Sequence, residues 1–171
     1  MLKALLDKFK RSRNPVKYWR SLGATIGEGC DIYSSASLGS EPYLITVGDR
    51  VRISSNVQLV THDGGVWVLR NLREDLRDVD KFGRITIGSN VHVGVGAVIM
   101  PGVTVGNNCI IGVDAVVTRD IPDNSIAVGV PARVIKTVEE YAEQHKDEFF
   151  NTKHMSPEEK KAYLLNNIER I

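Results

Sequence analysis

The side chains best suited to moving protons or groups near neutral pH are four histidines, His62, His92, His145 and His154, and two cysteines, Cys30 and Cys109. An imidazole titrates close to neutrality, so it can take a proton from a hydroxyl as that oxygen attacks a carbonyl carbon. His62 stands in Val60-Thr61-His62-Asp63-Gly64, with a carboxylate as its immediate neighbour. Adjacent residues of an extended strand point to opposite faces, so Asp63 orients His62 only if the chain turns there. Two cysteines supply neither a disulfide framework nor a four-ligand zinc site, and no metal is expected.

The frame that must position these groups follows from length and composition. The chain has 171 residues, 42% hydrophobic and 25% charged, with a net charge of +1. That favours one domain with terminal additions and excludes the disordered class. A near-neutral chain is not one whose whole surface binds nucleic acid. No apolar run reaches the roughly 18 residues of a membrane span. The N-terminus lacks a continuous apolar core followed by a small-residue cleavage site. A soluble, reduced, cytoplasmic protein is the expectation.

A repeat dominates the sequence. Aliphatic residues recur every six positions at Ile87, Val93, Ile99, Val105, Ile111 and Val117, each followed four residues later by Val91, Ala97, Val103, Cys109, Ala115 and Ile121. The same phase occurs in Ile26, Ile32 and Leu38, with Cys30 and Ala36, and in Val47, Ile53 and Leu59, with Val51 and Val57. A helix needs apolar residues at three, four and seven, so this period suits short strands separated by corners. Three residues after the lead aliphatics stand Gly29, Ser35, Arg50, Asn56, Asn90, Gly96, Gly102, Asn108, Asp114 and Asp120; eight of these ten are Gly, Asn or Asp, the types that tolerate positive φ. The pattern predicts an all-β solenoid, three hexads to a turn, with leads and partners filling its interior.

The repeat is interrupted twice. A few residues are added around Glu41-Pro42, between Leu38 and Val47. Residues 62–84 have no hexad register and predict a projecting loop that holds Trp67 and a run of mixed charges. Residues 1–21 predict a basic N-terminal helix or cap. Within the first twenty, seven cations face one carboxylate, a net +6 that leaves −5 for the remainder. Leu2, Leu5, Leu6 and Phe9 fall at helical spacing, so this segment either caps the first coil or is attracted weakly to an anionic membrane surface. Residues 137–171 predict a helical extension, with Ser156-Pro157-Glu158-Glu159 as a helix start. It contains His145 and His154, read as surface residues.

The segment ITIGSNVHVGVGAVIMPGVTVGNNCIIGVDAVVTRDIPDNSIAVGVPARVIK, residues 85–136, resembles the closing half of the galactoside and maltose O-acetyltransferases and of related capsule and exopolysaccharide acetyltransferases. These are hexapeptide-repeat enzymes, and the resemblance extends over roughly residues 22–136. Its most specific features are Thr118-Arg119-Asp120-Ile121-Pro122 and Gly129-Val130-Pro131-Ala132-Arg133. The resemblance implies a left-handed parallel β-helix over residues 22–136, with short helices at both ends, and acetyl transfer from acetyl-CoA to a sugar hydroxyl in polysaccharide or glycoconjugate synthesis. N-acetylation of a nucleotide-linked amino sugar and a silent scaffold are the alternatives. A γ-carbonic-anhydrase-like zinc site needs three histidines, and only His62 and His92 lie in the repeat.

The resemblance makes His62 the general base. It places backbone N–H groups of Gly94 and Val95 near the thioester, with Val95 where the sugar acetyltransferases have a serine. Val113 and Thr118 line the pantetheine track, and Arg119, Arg133 and Lys136 are the candidates for the CoA phosphates. Asp63, Trp67 and His92 are further candidates for substrate contact; His92, one place after inward Val91, points outward where those enzymes have a tryptophan. The family forms homotrimers with sites between subunits. The outward apolar positions Val95, Val98, Ile110, Val113 and Val116 agree with such an interface.

Overall fold

A computed structural model describes residues 2–170; the side chains of residues 2–6 and 8 lie outside the description, and with them the Leu2, Leu5 and Leu6 positions of the N-terminal stripe. It falls into two units, residues 1–138 and 139–171.

The first unit begins with two helices, α1 (Leu2–Arg13) and α2 (Pro15–Ser21), rather than one. The break is chemical. Asn14 caps α2 through Lys17 N–H, 2.9 Å from its Oδ1, and Pro15 occupies the first helical position. Trp19 of α2 is buried in the core with Ala24, Ile26 and Ile32.

The strands that follow are β1 (Thr25–Ile26), β2 (Asp31–Ile32), β3 (Ile45–Val47), β4 (Arg52–Ile53), β5 (Gln58–Leu59), β6 (Ile85–Ile87), β7 (His92–Val93), β8 (Val98–Ile99), β9 (Thr104–Val105), β10 (Ile110–Ile111), β11 (Val116–Val117), β12 (Ser125–Val128) and β13 (Arg133–Thr137). They form three sheets: β1-β3-β6-β9, β2-β4-β7-β10-β12-β13 and β5-β8-β11, termed A, B and C. Every pairing among β1–β12 is parallel; β13 adds to the edge of sheet B antiparallel. From β3 to β11 the chain visits A, B and C in strict rotation.

Register explains the six-residue period. Val93 pairs with Ile53 on one side and Ile111 on the other, and Ile99 lies between Leu59 and Val117. Lead aliphatics therefore stack on lead aliphatics, and those from Leu38 to Val117 are at most 1% exposed. The small partners Ala97 and Ala115 are fully buried beside them. The outward positions Val98, Ile110 and Val116 are half-buried, and Val95 and Val113 are exposed.

Corners need left-handed backbone, and eight of the ten expected positions adopt it. The exceptions are Ser35 and Asp120; Asp120 instead turns its carboxylate back to accept from Thr104 N–H at 2.7 Å. Arg50 takes φ +53 although its side chain does nothing to favour it. Asn90, Asn108 and Asn124, all at positive φ, form a side-chain ladder with amide contacts of 2.9 Å.

Both interruptions fold locally. Pro42–Leu44 forms a 3-10 turn, and the long insertion forms α3 (Val66–Leu72) followed by a 3-10 turn at Glu74–Leu76. The second unit holds most of α4 (Val138–His145) and all of α5 (Pro157–Asn166). In α5, Ser156 Oγ accepts from Glu159 N–H and Glu159 accepts from Ser156 N–H, a reciprocal cap.

The ladder predicts where truncation hurts. Ile99→Ala should lose about 2–5 kcal/mol in urea unfolding, while Thr104→Ala, on the outer face of β9, should stay within about 0.5 kcal/mol of the parent. Equal losses would contradict an interior carried by the lead positions.

Candidate active site

His62 lies just beyond the end of β5. Val60 N–H still donates to Ile99 O at 2.9 Å. The chain then leaves sheet C with Thr61 buried and the His62 side chain 48% exposed. The first interruption leaves the same sheet directly beside it, after the bridge that pairs Ser37 with Gln58. Gly39 makes the approach possible. It has φ +66, and a Cβ there would lie 2.8 Å from Thr61 Oγ1 and 2.9 Å from Leu59 O.

Ser40 and Glu41 are thereby brought against His62. Thr61 Oγ1 donates to Glu41 Oε2 at 2.5 Å, and His62 Nδ1 lies 3.2 Å from the same oxygen and 3.2 Å from Ser40 Oγ. The Thr61 hydroxyl above all, then Ser40 and His62, hold the Glu41 carboxyl below its ordinary value against the opposing effect of burial. An ionised carboxylate only accepts, so Nδ1 carries the proton and donates to it. Nε2 has no hydrogen-bond partner among the described residues. His62 lines a cleft of about 430 Å³ together with Ser40, Glu41, Asp63, Trp67, Lys81 and Phe82.

The chain does turn at Asp63, but not toward the imidazole. The Asp63 carboxylate pairs with Lys81 Nζ at 2.8 Å and accepts from Gly65 N–H at 2.9 Å, contacts that hold its pKa low. Trp67, on α3, is 69% exposed.

The other expected residues lie elsewhere on the chain. Gly94 and Val95 follow β7, and Val113 follows β10, at the exit from sheet B. Gly94 N–H donates to Ile111 O at 2.8 Å, and a Cβ on Gly94 would lie 2.7 Å from Val113 N. The N–H groups of Val95 and Val113 have no protein acceptor among the described residues. Thr118 and Arg119 are exposed after β11, at the exit from sheet C, two rungs along from His62. Arg133 and Lys136 are on β13, opposite Val128 and Ile126. Of the other residues expected from the sequence, Asp63 and Trp67 share the His62 cleft.

The stacked hexads have counterparts among known proteins. Residues 84–119 match the family described as bacterial transferase hexapeptide (six repeats). Protein CapG of Staphylococcus aureus is 47% identical over 171 residues, 99% of this chain and 97% of that one. The chain belongs to the hexapeptide-repeat transferases. Galactoside O-acetyltransferase of Escherichia coli K12 is 41% identical over 119 residues, 69% of this chain but 57% of that enzyme's length. A galactoside acetyltransferase solved in complex with coenzyme A superposes with a TM-score of 0.58 at 28% identity, covering 91% of this chain and 86% of that one. This transferase is an acyltransferase.

Sequence reasoning missed Glu41 and Ser40 as partners of His62. The available signal was the register break around Glu41-Pro42, one hexad series before the break that begins at His62. His92 of this transferase does point outward, on sheet B between Arg52 and Ile110. It lines a separate depression with Arg50, Asn90 and Asn108, and burial, then the Arg52 charge, push its pKa down.

Because the folded Glu41 carboxyl titrates below its ordinary value of 4.5, the unfolded chain takes up the proton first. Its contribution to stability is complete above that value and is lost as pH falls through the folded one. Glu41→Gln should therefore lower the urea midpoint at pH 7 and flatten the acid decline below about pH 4.5. The same acid slope in both chains would refute the ionised assignment.

Proposed function

We propose that this acyltransferase moves an acetyl group from acetyl-CoA to a sugar hydroxyl, with His62 as general base. The observation that carries the reading is the Thr61–Glu41–His62 cluster, which holds Nδ1 and leaves Nε2 as the base. The acceptor oxygen attacks the thioester carbonyl while Nε2 takes its proton. The C–S bond then breaks, and the imidazolium returns the proton to the departing thiolate, so no net charge is left on the protein. Ionised Glu41 favours the imidazolium that forms between these steps and fixes the ring's orientation, a positioning role.

The tetrahedral oxyanion needs fixed donors. The N–H groups of Val95 and Val113 are suited to the thioester end, since neither has a protein acceptor among the described residues. Arg119, Arg133 and Lys136 are assigned to the CoA phosphates. Trp67 offers a flat, exposed ring at the His62 cleft for a sugar face. Sugar as acceptor is supported by the galactoside acetyltransferases among the relatives.

The reading takes the three sheets as walls of a left-handed three-sided helix and the enzyme as a homotrimer. Support for the trimer comes from the division of the site: His62 is at the exit from sheet C, whereas Val95 and Val113 are at the exit from sheet B. A site that uses both groups draws them from two subunits. The free thiols Cys30 and Cys109 accord with action in the cytoplasm.

His62→Ala should lower kcat by roughly 10²–10⁴-fold with CoA affinity retained, measured as thiol release from acetyl-CoA over a panel of sugars. Turnover near wild type would remove His62 as the base. Sedimentation velocity should return a trimer, and a fully active monomer would end the shared-site reading.

A further inference from the structure

The N-terminal helical pair carries more charge than the fold uses. Arg20 is structural: its guanidinium donates to Ile26 O and Gly27 O at 2.6–2.9 Å and pairs with Glu28. Lys10, Arg11, Arg13 and Lys17 are different. None has a carboxylate partner among the described residues. Lys10, Arg13 and Lys17 line an open groove of about 670 Å³ together with Phe9, Tyr18 and Ser21. Phe9, 61% exposed, stands directly among these cations. Lys17 is not what holds α2 in place, since Trp19 anchors that helix in the core and Asn14 caps it.

We infer that this face docks the enzyme on an anionic lipid bilayer surface. Charge complementarity commits it to that occupant: with Arg20 set aside, six cations stand against one carboxylate in the first nineteen residues, on a chain whose remainder is net negative. Cations surrounding an exposed aromatic are the composition of an interfacial helix, which lies in the headgroup plane and inserts its apolar residue. At 12 residues, α1 is about 18 Å long, a length that an interfacial helix lays along the headgroup plane. A soluble polyanion would match the charge but would leave Phe9 unexplained.

The test is co-sedimentation of the full-length protein with vesicles of phosphatidylcholine alone or with about 30% phosphatidylglycerol, with soluble heparin as the competing polyanion. The protein should pellet with the anionic vesicles, remain in solution with the neutral ones, and be released at about 0.5 M salt. Each cation removed should weaken partitioning about fivefold, so the triple variant Lys10→Gln, Arg13→Gln, Lys17→Gln should lose about 100-fold. Phe9→Ser should weaken vesicle binding but leave heparin binding unchanged. Both variants alter exposed positions outside the acetyl-transfer machinery, so acetylation of a soluble acceptor should be unaffected and reports correct folding. Equal pelleting with neutral vesicles overturns the inference, and so does heparin binding without vesicle binding.

Discussion

The core of the first unit depends on parallel register between strands two to four residues long. No such strand holds together alone. Each is stabilised because the strand one rotation earlier and the one a rotation later place equivalent residues beside it, as Val93 lies between Ile53 and Ile111. A side chain's face alternates along a strand, so one residue added inside a strand would turn every following lead aliphatic outward. Added chain can leave only at a corner. Both interruptions do so, and at the same exit, after Leu38 and after Leu59.

The candidate base follows from that restriction. Glu41 and His62 are 21 residues apart in sequence, yet stacking makes them neighbours because each begins an excursion on consecutive rungs. Gly39 allows the two backbones to approach, and Thr61, fully buried, spends its hydroxyl on the carboxylate instead of leaving it unsatisfied. A partly buried carboxylate is costly unless hydrogen-bonded, and here three donors surround it: Thr61, Ser40 and His62. Asp63, adjacent in sequence, is excluded from this arrangement by Lys81 and Gly65, which occupy its oxygens.

This contrast marks how far the sequence could be read. The lead and partner positions were legible because a strict period of six leaves few ways to bury them, and Ile87 through Val117 are all interior. Residue type announced the corners at seven of the eight Gly, Asn or Asp positions, from Gly29 to Asp114. Residue type misled at Arg50, where the six-residue spacing alone marks the corner and the ladder imposes left-handed backbone, and at Asp120, where a side-chain hydrogen bond replaces the corner geometry. His62 could be picked from its place at the loop's root, but its partner could not, since sequence adjacency pointed to Asp63 and only register brings Glu41 alongside. The break at Asn14-Pro15 was legible in principle, because a capping residue followed by proline signals a new helix.

A scaffold this regular also limits how a site can be assembled. The exits from sheets B and C are separated by the strands of sheet C, and those strands are fixed by bonds such as Met100 N–H to Val117 O at 3.0 Å and Val98 N–H to Ala115 O at 2.8 Å. Bringing Val95 to His62 within one chain would require breaking that ladder, in which each strand is held by its neighbours on both sides. The α3 segment, with Trp67 and Leu72 largely exposed, is free of this restriction because it lies outside the register. The ladder therefore fixes the positions of Val95 and Val113 within the register, whereas the excursions carry His62, Glu41 and Trp67 outside it, and the proposed site combines groups of both kinds.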